Sequence, residues 1–233
     1  GAELPWLPLS LTPDATIRAM VSLLPGLAVL ALVAAATDRS RHLFLPLIVG
    51  FAFVALLLGL TQKASGAKSA LYFYSITNWG HTVGFFANPN HQATLLLMTL
   101  PFVAALATPL LRAGRIRQDA IPKIVVIGTL FAMVAGGVMM TGSRAGIAIL
   151  PIMTAFCVLM VRKDLTGNVP KLWIGGVGLF MLAAIPAGGF SGVVSRDALA
   201  TANVAASTRE AIWGSSWKHA VEHLPIGSGL GSF

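Results

Sequence analysis

The chain has 233 residues, of which 56% are apolar and only 10% charged, and its mean hydropathy is +0.80. A soluble domain is about one-quarter charged, so this composition excludes an ordinary water-soluble enzyme and implies an all-α, polytopic bundle of membrane helices. The net charge of +8 is no nucleic-acid footprint, because the basic residues sort by loop instead of forming a soluble, aromatic-interleaved surface.

Apolar runs predict six transmembrane helices, near 19–36, 43–61, 92–111, 124–141, 145–161 and 172–190, each close to the ~18–20 residues that cross a bilayer. Pro25, Pro46, Pro101, Pro151 and Pro186 lie in or near these runs. Neighbouring helices can satisfy the backbone groups that such prolines free. Cys157, the sole cysteine, falls within the fifth run and reads as a small core residue. Loops 37–42, 112–123 and 162–171 hold nine of the 16 lysines and arginines, which assigns them to the cytoplasmic side. The segments 62–91, 142–144 and 191–233 then face outward. Residues 1–190 form the expected bundle, and 191–233 begin a large outer loop. A start at Gly1 without Met and an end at Phe233 within that loop read as a piece of a longer membrane protein.

The first outward segment, 62–91, carries Tyr72, Tyr74 and Trp79, which suit an interfacial aromatic belt. It runs into Gly84-Phe85-Phe86-Ala87-Asn88-Pro89-Asn90-His91-Gln92-Ala93. Asn88 or Asn90 suits the N-cap of the next helix, with Pro89 setting its approach. The same amides, with His91, would also crowd a helix N-terminus where sugar hydroxyls or an anion can dock. His81 and His91 lack neighbours at zinc-ligand spacing.

Residues 141–146, Thr-Gly-Ser-Arg-Ala-Gly, place Arg144 at a narrow break between two apolar runs. A cation at the membrane edge is costly unless it meets a partner, so Arg144 marks a functional site.

In the last segment, Ser207-Thr208-Arg209-Glu210 has capping-box spacing. Trp213, Trp217, Ala220, Val221 and Leu224 then recur on one helical face, which would lie on the membrane surface or against the bundle. Pro225 and the Gly227, Gly229 and Gly231 run end the helix. Arg209 falls in its first turn, where the helix dipole disfavours a cation by ~0.3–1 kcal/mol. Either a bound anion or pairing with Glu210 offsets that cost. Lys218, His219, Glu222 and His223 occupy the polar side and read as a solvated face or as a source of a base. No metal-ligand cluster is read in the outward segments, so the expected chemistry is metal-independent and without a cofactor.

Three motifs, GFFANPNHQA (84–93), TGSRAG (141–146) and STREAIWGSSWKHAVEHLPIGSGLGSF (207–233), together resemble the bacterial O-antigen ligase and O-antigen polymerase superfamily. The likeness covers most of the chain from about residue 43, and the last motif is its most specific part. It implies a multi-pass glycosyltransferase of the bacterial inner membrane with an amphipathic periplasmic helix. Such an enzyme takes a glycan from an undecaprenyl-pyrophosphate carrier on the periplasmic side. It passes the glycan to a lipid A–core sugar, a second carrier-linked glycan or a protein. Arg144 and Arg209 match the family's arginines near the carrier pyrophosphate and are the expected catalytic residues. Ser143, Asn88, Asn90, His91 and Trp213 are the expected substrate contacts. The family's ligases also use a histidine downstream of the last motif, beyond Phe233, so neither His219 nor His223 is assigned that role. A small-solute transporter is the rival class, although its ion coupling favours intramembrane carboxylates that these helices largely lack. A noncatalytic envelope scaffold is the third.

Overall fold

The computed structural model describes residues 10–111, 118–161, 210–224 and 227. Every regular element among them is helical: α1 (Pro13–Val21), α2 (Leu24–Ala35), α3 (Asp38–Ser65), α4 (Pro89–Leu111), a 3₁₀ turn at Gln118–Ala120, α5 (Ile121–Met140) and α6 (Arg144–Val161). A further helix over 210–222 is labelled α7. Five stretches are long and apolar enough to cross a membrane: Pro13–Ala35, Leu43–Ser65, Pro89–Leu110, Gln118–Met140 and Arg144–Val161. The expected span at 172–190 lies outside the described residues, as do the basic loop 162–171 and residues 112–117 of the loop 112–123.

The chain divides into two compact units, one of residues 1–41 with 195–233 and one of residues 42–194. In the first unit, the expected helix 19–36 starts earlier, at Pro13, and is broken into α1 and α2 around Ser22 and Leu23. Pro25 explains the break. It sits at the first turn of α2, where its missing N–H costs nothing. Inside an unbroken helix its ring would clash with the carbonyl four residues back. Neither α1 nor α2 buries a residue, and Leu24, Leu27, Leu30 and Leu32 are all exposed. In a spanning segment such side chains meet lipid.

The second unit holds the core. Helix α3 runs from Asp38 to Ser65, longer at both ends than the expected 43–61. The Thr37 hydroxyl accepts the Ser40 N–H, a capping bond that extends the start. Helix α4 is central and packs against both α5 and α6. Leu56, Leu96, Leu100, Val103, Val134, Val138 and Leu150 are buried in the shared core. Cys157 is buried with them, as its reading as a core residue expects.

The segment between α3 and α4 does not ride over the bundle as a simple loop. Thr82, Val83 and Gly84 are buried, tucked against α3, where a Cβ on Gly59 would lie 3.3 Å from that of Thr82. Irregular backbone inside an apolar bundle survives only if its polar groups find partners in the protein. Gln62, in the last turn of α3, meets that need. Its Nε2 donates to the carbonyls of Gly84 at 2.8 Å and Leu71 at 2.9 Å, and its Oε1 accepts the Gly84 N–H at 2.8 Å. Gly84 is at φ +59, and a Cβ there would meet the Gln92 amide and lie 2.9 Å from the Ala55 carbonyl oxygen. Only glycine satisfies both the left-handed backbone and the close approach.

Tyr72 departs from the aromatic-belt expectation. It is 7% exposed, its ring packs against Trp79 with centroids 5.1 Å apart, and its hydroxyl donates to the His81 carbonyl. It therefore braces the segment from within. Tyr74 and Trp79 remain exposed, as a belt requires.

Candidate functional site

Two helix starts meet at one end of the second unit. Asn88 caps α4, its Oδ1 accepting the Asn90 N–H at 2.8 Å while its carbonyl accepts that of His91 at 3.1 Å. The cap places the start of α4 at Pro89, three residues before the expected 92. Ser143 caps α6, its Oγ accepting the Gly146 N–H at 3.1 Å. The backbone ahead of it is held in turn, since the Thr141 hydroxyl accepts the Ser143 N–H and donates to the Val138 carbonyl.

The two caps are joined across 53 residues of sequence, with Ser143 Oγ donating to Asn90 Oδ1 at 2.7 Å. The helices come close enough for that bond because Gly146 faces Ala93. A Cβ on Gly146 would lie 2.8 Å from the Ala93 Cβ and 3.2 Å from that of Ser143, inside any tolerable packing distance. Of the two asparagines that could cap α4, Asn88 does so, which leaves the Asn90 side chain for the bond to Ser143. Ser143 is 3% exposed, and its hydroxyl is engaged both as donor and as acceptor. Ser143 and Asn90 therefore set the geometry of the junction.

Arg144 is the first residue of α6, exposed, and makes no ion pair or hydrogen bond through its guanidinium among the described residues. His91 is exposed one turn into α4, with its ring tilted against Phe86 at 6.1 Å. His81 borders the same junction, its Nδ1 being 3.9 Å from where a Cβ on Gly142 would sit. Each helix N-terminus adds partial positive charge from its free N–H groups. The end of the bundle at Arg144 therefore gathers a guanidinium and two helix N-termini, all of them hydrogen-bond donors.

Arg209 and Ser207 lie outside the described residues. Trp213 lies in the first unit, on α7, 73% exposed. Residues not singled out in the sequence also matter here. Gln62 holds the buried segment, and Gln92 is 1% exposed with neither amide atom hydrogen-bonded among the described residues. The signal for both was an amide inside an apolar helical run. Among the described residues, His219, Glu222 and His223 bring one ligand atom each to within 4.8 Å of one another.

Comparison with protein-family models, with curated proteins and with solved structures found no match.

Proposed function

We propose that the chain is the core of an inner-membrane glycosyltransferase. It would move a glycan from an undecaprenyl-pyrophosphate carrier to an acceptor hydroxyl on the periplasmic side, as an O-antigen ligase or polymerase does. One observation carries the reading. The GFFANPNHQA and TGSRAG segments, two of the three that resemble that superfamily, are hydrogen-bonded to each other through Asn90 and Ser143. The Arg144 guanidinium is exposed beside two helix starts and unpaired among the described residues. The distribution of lysine and arginine in the sequence supports a periplasmic position for this end of the bundle.

The chemistry follows from the leaving group. The anomeric C–O bond to the carrier pyrophosphate breaks as the acceptor oxygen bonds the same carbon from the opposite face, so the configuration inverts. The acceptor hydroxyl gives up its proton to a base, and negative charge collects on the departing pyrophosphate. Arg144 and the α6 N-terminus stabilise that charge as it develops. A planar guanidinium also binds two phosphate oxygens at once, which an ammonium cannot. The resemblance implies Arg209 as a second arginine for the carrier pyrophosphate, with Trp213 four residues after it in the sequence. Asn88, Asn90 and Ser143 hold the helix starts in place, while His91 is free to contact a sugar.

The test is transfer by the full-length protein in liposomes, using a defined lipid-pyrophosphate-linked glycan and a hydroxyl acceptor. Arg144→Lys is expected to lower turnover by about 10²-fold or more at unchanged membrane insertion. Arg209→Ala should weaken use of the donor, and more so than Ser207→Ala. Near wild-type transfer by Arg144→Lys would remove the pyrophosphate contact. Solute uptake without any transfer would replace the enzyme with a transporter.

A further inference from the structure

We propose that His219, Glu222 and His223, on the polar side of α7, form a site for a borderline divalent transition metal such as Zn²⁺. The argument begins with spacing. Positions i, i+3 and i+4 share one helical face, and two histidines four residues apart on a helix are a recurrent pair of zinc ligands. The structure brings the three side chains together, with one ligand atom from each lying within 4.8 Å of the others. His219 Nδ1 is 3.4 Å from Glu222 Oε2. That separation matches the edge of a zinc tetrahedron, about 3.3 Å for metal–nitrogen bonds of about 2.0–2.1 Å. The residues are at least partly exposed, so side-chain rotation can close the remaining gap.

Two further features favour a metal over a plain solvated face. His223 Nδ1 lies 2.9 Å from the His219 carbonyl oxygen. Donation of the Nδ1 proton to that carbonyl leaves Nε2 with its lone pair free. Metal-bound histidines characteristically use their second nitrogen in this way, to fix tautomer and ring orientation. The cluster also lies at the C-terminal end of α7, which stops at 222 with the following turn closed by Gly227 N–H on the His223 carbonyl. The negative end of the helix dipole favours a cation there.

The imidazole and carboxylate donors select the metal. They suit Zn²⁺ or Cu²⁺, while Mg²⁺ prefers an all-oxygen shell. Three protein ligands leave one tetrahedral position open for water or a further group. Lys218 Nζ lies 3.9 Å from Glu222 Oε1 and competes with the metal for that carboxylate. Metal binding would staple the last turns of α7, and it is independent of the glycan-transfer reading.

The experiment is Zn²⁺ titration of the full-length, tag-free protein in detergent against a chromogenic chelator, read in parallel with X-ray absorption at the zinc edge. The expected result is one Zn²⁺ per chain in a shell containing two imidazoles, removed by EDTA and unaffected by excess Mg²⁺. The double variant His219→Gln with His223→Gln should bind Zn²⁺ at least about 10–100-fold more weakly, since loss of an outer partner alone costs that much. Glu222→Gln should bind about tenfold more weakly. Lys218→Met should bind about threefold more tightly, because it frees Glu222, and a solvated face predicts no such gain. Unchanged size-exclusion profiles would show that the variants fold. Absence of binding by the wild type would overturn the site. So would equal binding by the double histidine variant, which would place zinc on His42, His81 or His91.

Discussion

The start of α6 and helix α7 each present a polar face, but they are built in opposite ways. At α6, Ser143 is buried, bonded to a residue 53 positions away and packed through Gly146 against Ala93. On α7, Ile212, Trp213, Trp217 and Val221 are all exposed, and the polar face is organised by bonds within the helix. One face exists because two helices meet. The other exists because residues recur at helical spacing. A perturbation in the bundle should therefore propagate between elements, while one on α7 should stay where it is made.

The largest effect should come from Gly84. Alanine there faces both a left-handed backbone and the Ala55 carbonyl oxygen at 2.9 Å. A destabilisation of about 2–4 kcal/mol is expected, read as a large drop in the thermal midpoint of the detergent-solubilised protein. A change of a few tenths would mean that the 82–84 segment does not sit against α3.

The junction itself is tested by a double-mutant cycle. Asn90→Ala and Ser143→Ala should each cost about 1–2 kcal/mol. The pair together should cost less than the sum, because each single change removes the same 2.7 Å bond. Strict additivity would break the link between the two helix starts.

Gln92 should respond with the opposite sign. Its amide is buried without a hydrogen-bond partner among the described residues, and an unpaired buried amide costs about 1–3 kcal/mol. Gln92→Met keeps the volume and removes the polar atoms, so the thermal midpoint should rise. A fall would show that the amide is satisfied by water or by a bound molecule.

The smallest effect should come from α7. Trp213→Ser touches an exposed side chain and should change unfolding stability by less than about 0.5 kcal/mol. A loss as large as that of the junction variants would mean that the apolar face of α7 is docked on protein.

Much of this was legible along the chain. The apolar runs announce the spanning helices directly, because a bilayer demands a length of helix that only a long uncharged run provides. Pro89 marks a helix start, and the face of α7 follows from periodicity alone. Arg144 stood out because charge is rare in such a chain. The helix limits were less legible. The caps by Thr37 and Asn88 moved the starts of α3 and α4, and capping depends on where the backbone turns.

What the sequence by itself determined is the class of the molecule, its spanning helices and the spacing of the α7 cluster. All of these rest on local composition or on helical period. Only the tertiary structure decided that Asn88 caps while Asn90 reaches Ser143, that Tyr72 turns inward, and that Gln62 holds the buried 82–84 segment. Those outcomes depend on which polar group lies within hydrogen-bond reach of another dozens of residues away. In an apolar bundle an unpaired donor is costly, so the choice of partner is made by packing, at Gly84 and Gly146, where backbones approach too closely for any side chain.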